Sequence, residues 1–306
     1  MNTRAAGFSR RGFFLDDAVE DVLKLRPIEI GDAGKAAALL AEGFPSHSHE
    51  AWAGTVQRLF AHVQDIGETS IGQFVMAGGD EIGLCLAIPS YRTAYADPPN
   101  RIVNLASFFL RPGSEWMAPL LMRRLTADRS VEYTDLTASP SMRKINRQIG
   151  FTDHSDGSVF VPVPVASLRA GLGAKIVPLD AIRPGAMPDA HLRLLEQHAA
   201  LGSIAVALEI HGTYHPLILA SSPRRRVPCA RVILVRDRQL IRKALGPIAR
   251  HLMKRRFAFL EFDARAKVGF PEAMFRTEVA PVQSTRDASD QAIDHTFSEM
   301  VFLRPG

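Results

Sequence analysis

The stretch that decides the fold begins at residues 102–110 with IVNLASFFL, an apolar run that predicts a buried strand. It continues at 112–128 with PGSEWMAPLLMRRLTAD, which predicts a turn followed by an amphipathic helix. A second strand is predicted for VEYTDLTA at 131–138, and a short helix that Gly150 ends for SPSMRKINRQIGF at 139–151. Elements in this order form one right-handed βαβ unit with a helix added.

The spacing within this unit resembles that of the Gcn5-related N-acetyltransferase (GNAT) superfamily. Ser139-Pro140 stands at the family's Asn-Pro, and Gly150-Phe151 stands at its closing Gly-Phe. Leu110-Arg111-Pro112 resembles the Val-x-Pro end of the family's central strand. The resemblance covers residues 24–163 and implies an α/β (α+β) fold with a mixed central sheet flanked by helices.

In that family an acyl-CoA lies in the V between the central strand and the next parallel strand. The resemblance therefore implies that acetyl-CoA, or a longer acyl-CoA, binds here as a co-substrate. The residues that it places against this molecule are Ser107, Phe108, Phe109 and Leu110 on the strand, Ser114, Glu115, Trp116, Met117 and Ala118 in the turn, and Ser139 and Arg143 at the next helix.

Two departures from the family pattern make this acetyl-CoA motif degenerate. The family's Gly-x-Gly/Ala loop wraps the pyrophosphate with backbone N–H groups, whereas this chain has Glu115, Trp116 and Ala118 there. A carboxylate at Glu115 would lie near an anion. The family's general-acid tyrosine is replaced by Asn146, which cannot protonate a leaving thiolate.

Acyl transfer to an amine needs proximity, a base for the amine and donors for the oxyanion. Asp135 is the best candidate base and Tyr133 the best hydroxyl donor, because period-two alternation places both on one face of their strand. Asn146 is a third candidate, as a hydrogen-bond partner of the thioester. The alternative is that Tyr133 and Asp135 are polar strand residues satisfied by their neighbours, and that Asn146 is exposed on its helix.

The second half of the chain repeats the order hairpin, strand, helix, strand and Gly-Phe. The hairpin turns at His211-Gly212-Thr213, a helix is predicted for 238–256, and Gly269-Phe270 matches Gly150-Phe151. We therefore expect two GNAT-like domains in tandem, with an unrelated α/β domain as the alternative. The expected boundaries are an arm at 1–23, a first domain at 24–165, a Gly/Pro-rich linker at 166–190 and a second domain at 191–306.

Composition excludes several classes of protein. No segment of the 306 residues approaches the roughly 20 consecutive apolar residues that a membrane span requires. Arg10-Arg11 resembles a twin-arginine export motif, but the acidic DDAVEDVLK that follows is not an export signal, so a cytoplasmic location is expected. Cys85 and Cys229 are predicted to be buried small hydrophobes, and no metal site is predicted.

The net charge of +5 is unevenly distributed. Residues 1–165 carry 16 Lys/Arg and 19 Asp/Glu, a net charge of −3, whereas 166–306 carry 21 and 13, a net charge of +8. Residues 223–256 hold twelve basic residues and one acid, and Arg238, Arg242 and Arg250 recur on one face of the predicted helix. This face predicts an anion site for CoA phosphates or an acidic polysaccharide or lipid headgroup, or else a solvated surface; nucleic acid is disfavoured, because no aromatic residues are interleaved.

Near the C-terminus, DHTFSEMVFL brings Asp294, His295, Ser298 and Glu299 close together. No Gly-x-Ser-x-Gly motif accompanies them, so an edge strand is expected rather than a catalytic triad. Two functions follow from the sequence. The first is an acyltransferase that moves an acetyl or longer acyl group from acyl-CoA to an amine, and the alternative is a non-catalytic GNAT-fold module for ligand binding or assembly.

Overall fold

A computed structural model describes residues 23–92, 100–171, 173–224, 227–266, 269–286 and 292–303. The predicted N-terminal arm, with Arg10 and Arg11, lies outside the described residues apart from its last residue, as do Arg225 and Arg226. Strands form two mixed sheets with helices packed against them, as the sequence predicts.

The first sheet is built mainly from the N-terminal half. Its strands are β1 (Leu23–Pro27), β2 (Gly72–Ala77), β3 (Asp80–Arg92), β4 (Asn100–Leu110), β5 (Glu132–Asp135), β6 (Thr152–Asp153) and, from far along the chain, β14 (Gln283–Ser284). Their order is β1-β2-β3-β4-β5-β14-β6, in which β4 and β5 are parallel. In the sequence, Gly78-Gly79 between two apolar runs predicts a hairpin turn, and both glycines have a positive φ between the antiparallel β2 and β3.

Two pairs of helices cover this sheet. The first pair is α1 (Ala33–Gly43) and α2 (His49–Asp65), and the second is α3 (Ala118–Leu125) and α4 (Pro140–Gln148). The predicted apolar stripe of α2 is buried against one face of the sheet; its residues are Trp52, Val56, Leu59, Phe60 and Val63. The α3 residues Leu121 and Met122 pack in other clusters with Val103, Leu105 and Leu110, so the sheet has apolar cover on both faces.

The second sheet is built mainly from the C-terminal half. Its strands are β7 (Gly157–Pro162), β8 (Ala174–Pro178), β9 (Ile204–Ile210), β10 (Thr213–Ser221), β11 (Cys229–Val235), β12 (Phe259–Ala264), β13 (Met274–Arg276) and β15 (Ile293–Asp294). The order is β13-β7-β12-β11-β10-β9-β8, and β15 pairs with β11. The helices of this half are α5 (Val163–Ala166), α6 (Asp189–Ala200), α7 (Arg238–Lys243), α8 (Leu245–Lys254) and α9 (Glu299–Phe302).

The two halves exchange strands. We expected the run that contains β7 to close the first domain, but β7 pairs with β12 and β13 in the second sheet. In return, β14 from the C-terminal half lies between β5 and β6 in the first sheet. The expected linker at 166–190 likewise contains β8, the edge strand of the second sheet. Because each sheet includes a strand from the other half, the halves are joined by backbone hydrogen bonds.

The basic helix predicted for 238–256 is two helices. Gly246 and Pro247 follow the break at Ala244, and a side chain at Gly246 would meet the Arg169 carbonyl oxygen at 2.1 Å. The absence of a Cβ therefore permits a close approach between α8 and the chain after α5. The predicted apolar stripe of these helices is confirmed as buried: Ile241, Leu245, Ile248 and Leu252. Within the described residues, none of the helices has the length and apolar character that crossing a membrane requires.

Candidate functional site

A cleft opens in the first sheet where β4 and β5 part. The two parallel strands pair from Ile102 opposite Glu132 to Leu105 opposite Asp135, after which β5 ends and β4 continues to Leu110. A cavity of about 280 Å³ lies at this point. Its walls come from both helix pairs, the ends of both strands and the C-terminal segment, here defined as residues 293–303.

The backbone of β4 bulges at the mouth of the cleft. Leu84 of β3 pairs with Phe109 and Leu86 pairs with Ala106, so Ser107 and Phe108 share one partner position. Ser107 has a φ of +49°, a left-handed conformation that a non-glycine residue adopts at a cost of about 1–3 kcal/mol. A bulge frees backbone polar groups from the strand ladder, and both bulge residues line the cavity.

Two buried carboxyl groups face this cavity. Asp135 at the end of β5 is 8% exposed, and Glu299 at the start of α9 is 3% exposed. Thr137 links them, because its hydroxyl donates a 2.8 Å hydrogen bond to Glu299 Oε1 while its backbone N–H donates to Asp135 Oδ1 at 3.4 Å. The site thus contains an acidic pair in a mostly apolar pocket.

Burial shifts the pKa values of both carboxyl groups upward. Desolvation raises the pKa of Asp135 to about 6, opposed by a hydrogen bond from Asn146. Desolvation, followed by the charge of Asp135, raises the pKa of Glu299 to about 8. At neutral pH the pair therefore holds about one proton, and Glu299, with the higher pKa, is the favoured site for it.

The sequence did not predict the position of Glu299. We expected 294–303 to form an edge strand, but only Ile293–Asp294 is a strand, and α9 begins at Glu299. The Glu299 backbone N–H donates a 2.8 Å hydrogen bond to Asn104 Oδ1, which anchors the helix start to β4. Phe302 is fully buried in the cluster that contains the apolar stripe of α2, so it also holds α9 against the first sheet. The one sequence signal was the cluster of polar residues in DHTFSE, which gives no location.

Asn146 lies behind Asp135 and not on an exposed helix surface. Its side chain is 0% exposed, and its Nδ2 donates to Asp135 Oδ2 and Gln283 Oε1, each at 2.9 Å. Gln283 in turn donates a 2.7 Å hydrogen bond to Asp153 Oδ1. The expectation of an exposed side chain was wrong, because α4 and the exchanged strand β14 enclose this position. Asn146 positions the candidate base.

Tyr133 is on the same strand face as Asp135 but lines a different cavity. That cavity, of about 160 Å³, is also lined by Glu68, Arg101 and Leu125. Desolvation and the charge of Asp128 raise the pKa of Tyr133. The two candidates therefore do not meet at one site, since a step of two residues along β5 moves from one cavity to the other.

An aromatic wall forms the side of the cleft next to the α1–α2 connection. The ring of Trp52 lies 5.9 Å from that of Phe44 and 5.4 Å from that of His47. His47 Nδ1 is 3.0 Å from the Ser46 hydroxyl, and all four residues line the cavity. The pocket therefore combines an aromatic side with the acidic pair.

The residues that the resemblance placed against acyl-CoA fall into three groups. Ser107, Phe108 and Ser139 line the cavity, and Ser139 also caps α4 by accepting from the Met142 backbone N–H at 3.2 Å. A second group packs into the core: Phe109 against Gly43 and Phe44, and Leu110, Met117 and Ala118 beneath α3. Arg143 lies half-buried on α4, with its carbonyl oxygen 3.5 Å from Gln283 Nε2.

The remaining group forms the turn from Ser114 to Trp116. Glu115 accepts a 2.8 Å hydrogen bond from the Gly113 backbone N–H, so one backbone donor of the turn is already bonded to this carboxylate. Trp116 points outward and is 57% exposed. Because Trp116 points outward and Phe109 packs into the core, neither side chain fills the cleft.

Solved structures similar to the chain include a GCN5-related N-acetyltransferase from Anabaena variabilis, with a TM-score of 0.53 and 10% identity over 86% of this chain and 72% of that one. They also include a candidate acetyltransferase from Pyrococcus horikoshii, with a TM-score of 0.53 and 12% identity over 96% and 97% of the two chains. A GCN5-related N-acetyltransferase from Kribbella flavida has a TM-score of 0.52 and 12% identity over 86% and 70%. No protein-family model and no curated protein matches the sequence.

The chain has a GNAT fold. The similarity spans both sheets, and the pair of mixed sheets fits two GNAT-like folds in tandem. The cleft between β4 and β5 is the V of the first GNAT fold. The parallel strands β11 and β12 form the corresponding V of the second.

Protein fills the second V. β11 and β12 pair from Cys229 opposite Phe259 to Arg231 opposite Glu261, and beyond this point β15 pairs with β11. The His295 backbone N–H continues the pairing by donating to the Ile233 carbonyl oxygen at 2.8 Å. The same C-terminal segment therefore lies along the second V and reaches the first.

Buried ion pairs lie beside the filled V. Arg231 donates to Glu261 at 2.8 Å and also to Asp263, and His295 Nε2 lies 2.9 Å from Asp263 Oδ2. Burial alone would raise the pKa of Asp263, but Arg231 and His295 hold it well below its usual range. His295, considered above for a triad, therefore belongs to a structural network, and Asp294 pairs instead with Arg92 Nε at 3.3 Å. Ser298 donates to the His295 carbonyl oxygen at 2.6 Å.

The basic face of the second GNAT fold is partly used within the protein. Arg250 donates to the carbonyl oxygens of Ser167 and Arg169 at 2.8 and 2.9 Å, and Arg238 Nε donates to the Asp263 carbonyl oxygen at 3.1 Å. The aliphatic part of Arg242 packs over Gly269. These contacts give the arginines a structural role, and an anion site at Arg238, Arg242 and Arg250 stays a prediction.

Proposed function

We propose that this protein transfers an acyl group from an acyl-CoA thioester to an amine in the cleft between β4 and β5. One observation carries the proposal: the two parallel strands part where a backbone bulge and the buried carboxyl of Asp135 face the same cavity. The GNAT fold adds support. The filled second V favours the first half as the place where the acyl donor binds.

The chain's residues fit the acyl end of such a donor better than its phosphate end. The cavity walls are largely apolar, and the bulge at Ser107 and Phe108 offers backbone groups to a thioester. At the turn, however, Glu115 already accepts from the Gly113 N–H. Recognition of the donor is therefore expected to come mainly from the cleft.

In this proposal Asp135 is the general base. At neutral pH its carboxylate takes a proton from the ammonium form of the acceptor, which leaves a neutral amine with a free electron pair. The amine nitrogen forms a bond to the thioester carbonyl carbon, and the negative charge moves to the carbonyl oxygen, close to the bulge at Ser107. Collapse of this intermediate breaks the C–S bond and gives an amide and a thiolate, which must gain a proton.

A non-catalytic ligand-binding or assembly module is the second candidate function. It is favoured by the Glu115 carboxylate in the turn and by Asn146 at the position of the family's tyrosine. The two functions differ in outcome, because a module would bind a ligand in the cleft without releasing CoA.

Calorimetric titration with acetyl-CoA and octanoyl-CoA, followed by an assay for released thiol, tests the proposal. The thiol assay uses an alkylamine, a diamine, an amino sugar and a lysine peptide as acceptors. We expect micromolar binding and amine-dependent thiol release that Asp135→Asn lowers by about 10²–10⁴-fold without loss of binding. Asp128→Asn is the matched control, because the Asp128 side chain is exposed, bonds to Ser130 within its turn and does not line the cleft. Folded protein that binds neither donor would overturn the proposal, and binding without thiol release would favour the module.

A further inference from the structure

We infer that Glu299, which the C-terminal segment brings into the cleft, is the general acid that protonates the leaving thiolate. The inference rests on the proposed function and adds a catalytic residue to it. Glu299 is separated from Asp135 by more than half of the chain, yet both line one cavity and are linked through Thr137.

The position of Glu299 is fixed from both of its ends. Its backbone N–H bonds to Asn104 Oδ1 at 2.8 Å, and Asn104 is itself held by the Thr134 hydroxyl at 3.2 Å. Its Oε1 accepts from the Thr137 hydroxyl at 2.8 Å. Glu299 lines the cleft, and its carboxyl group is already held in one position. It therefore loses little side-chain entropy when a substrate binds, as a catalytic group requires.

The charged and titratable groups around Glu299 favour its protonated form. Burial acts first, and the carboxylate of Asp135 acts in the same direction. Arg231 of β11 acts against them, and the Cys85 thiol of β3 is kept protonated by burial and by the two carboxyl groups. His47, also in the cavity wall, is half-buried beside Ser46. With a pKa of about 8, Glu299 carries a proton at neutral pH.

The cleft has few other groups that could supply this proton. Asn146 is engaged with Asp135 and Gln283 and has no acidic proton. The described residues that line the cavity otherwise offer aliphatic hydroxyls, which are weak acids, the Cys85 thiol, whose pKa burial raises so that it is a poor acid, and the His47 ring. His47 is therefore the rival that the experiment must separate from Glu299.

The protons balance over one cycle. Asp135 accepts one proton from the acceptor ammonium, and Glu299 gives its proton to the departing sulfur, which leaves as a thiol. The amide nitrogen loses its remaining extra proton to the ionised Glu299 carboxylate, which restores the acid. Asp135 releases its proton to solvent, so the net change is one ammonium and one thioester converted to an amide, a thiol and one proton.

Thioesters with different leaving groups test this role. We would measure turnover of the full-length protein with two acetyl thioesters, one of an alkyl thiol related to pantetheine and one of an aryl thiol, whose more acidic leaving group needs no proton. Glu299→Gln keeps the shape and the bond from Thr137. It should slow the alkyl thioester by about a hundredfold and the aryl thioester by less than threefold. The rate of the wild type is expected to fall above pH 8, as Glu299 loses its proton, and this fall should be absent in Glu299→Gln.

Other outcomes would overturn the inference. Equal losses with both thioesters would show that Glu299 only supports the fold, and equal activity of Glu299→Gln and the wild type would show that it has no role. The variant His47→Gln should not distinguish the two thioesters; if it does and Glu299→Gln does not, His47 is the acid. If the wild type turns over no acyl-CoA, the proposed function fails, whereas turnover with an insensitive Glu299→Gln removes this inference alone.

Discussion

The amide of Asn146, on α4, donates a 2.9 Å hydrogen bond to the carboxylate of Asp135, at the end of β5. This bond stabilises the ionised form of a carboxyl group that burial would otherwise keep protonated. The residue at the position of the family's tyrosine therefore contacts Asp135, the proposed base.

Removing this bond should raise the pKa of Asp135. For Asn146→Leu we expect an upward shift of about one to two pH units, since a hydrogen bond to a charged group contributes about 1.5–3 kcal/mol and one unit corresponds to 1.36 kcal/mol. Carbon-13 NMR titration of the carboxyl groups measures the shift without requiring activity. Gln148→Leu, on the exposed side of the same helix, is the control and should leave the titration unchanged.

The raised pKa of Glu299 should make stability depend on pH. The folded state holds a proton on Glu299 up to about pH 8, whereas the unfolded chain releases it near 4.5, so this contribution to stability is lost as the pH rises through 8. Relative to the wild type, Glu299→Gln should therefore gain about 1 kcal/mol in the free energy of unfolding between pH 7.5 and 9.

Urea denaturation at a series of pH values checks this expectation. The range from pH 7.5 to 9 lies above the pKa values of the buried histidines. Because these values are lowered from 6.5, the histidines change the free energy of unfolding with pH only up to about pH 6.5. Asp263 also stays ionised throughout, because its pKa is lowered. Parallel curves for the two proteins would show that Glu299 is ionised at neutral pH.

Local patterns predicted most of the elements of the fold. Apolar periodicity identified β4, the α2 stripe and the stripe of α7 and α8, and turn residues identified the hairpins at Gly78 and His211. The exchange of β7 and β14 was not predictable in this way. A strand as short as Gln283–Ser284 has no periodicity, and its place is determined by side-chain partners more than a hundred residues away.

The candidate site was predicted only in part for the same reason. Asp135 and Ser107 could each be predicted from the position of its own strand, β5 or β4, and the structure brings both to the cleft. Alternation along β5 placed Tyr133 with Asp135, but the strands stay paired as far as Asp135, so Asp135 lies at the cleft while Tyr133 lines a separate cavity. Glu299 reaches the cleft because the C-terminal segment first pairs with β11 of the second sheet and then bonds to Asn104 of the first. A local sequence pattern does not contain this contact between the two sheets.

Glu115 should weaken binding of acyl-CoA at the turn. Replacing it by Gln removes a negative charge near the expected pyrophosphate position, and charges at a helix start contribute about 0.3–1 kcal/mol. We therefore expect affinity for acetyl-CoA to rise about two- to fivefold, with the gain shrinking at high salt. Calorimetry with a pantetheine thioester is the control, because this ligand lacks the pyrophosphate and should bind both proteins equally. An equal gain for both ligands would contradict the charge argument.

Gln283 should be a point where the two halves depend on each other. Its side chain is fully buried and bonds to Asn146 and to Asp153, and its backbone lies between β5 and β6. Gln283→Ala leaves both partners without these bonds and should lower the free energy of unfolding by about 3 kcal/mol, because a buried polar group left unsatisfied costs about 1–3 kcal/mol. Gln239→Ala, at an exposed position of α7, should change it by less than 0.5 kcal/mol.

Hydrogen exchange of the Gln283→Ala protein tests whether the exchanged strands couple the halves. Because β14 of the C-terminal half belongs to the first sheet and β7 of the N-terminal half to the second, unfolding of either half removes a strand from the sheet built mainly by the other. The slowest amides of β4 and β11 should therefore lose protection together as urea increases, and by the same free energy. Loss of protection in β4 alone would show that the second sheet is stable without the first, and that the exchange joins the halves without coupling them.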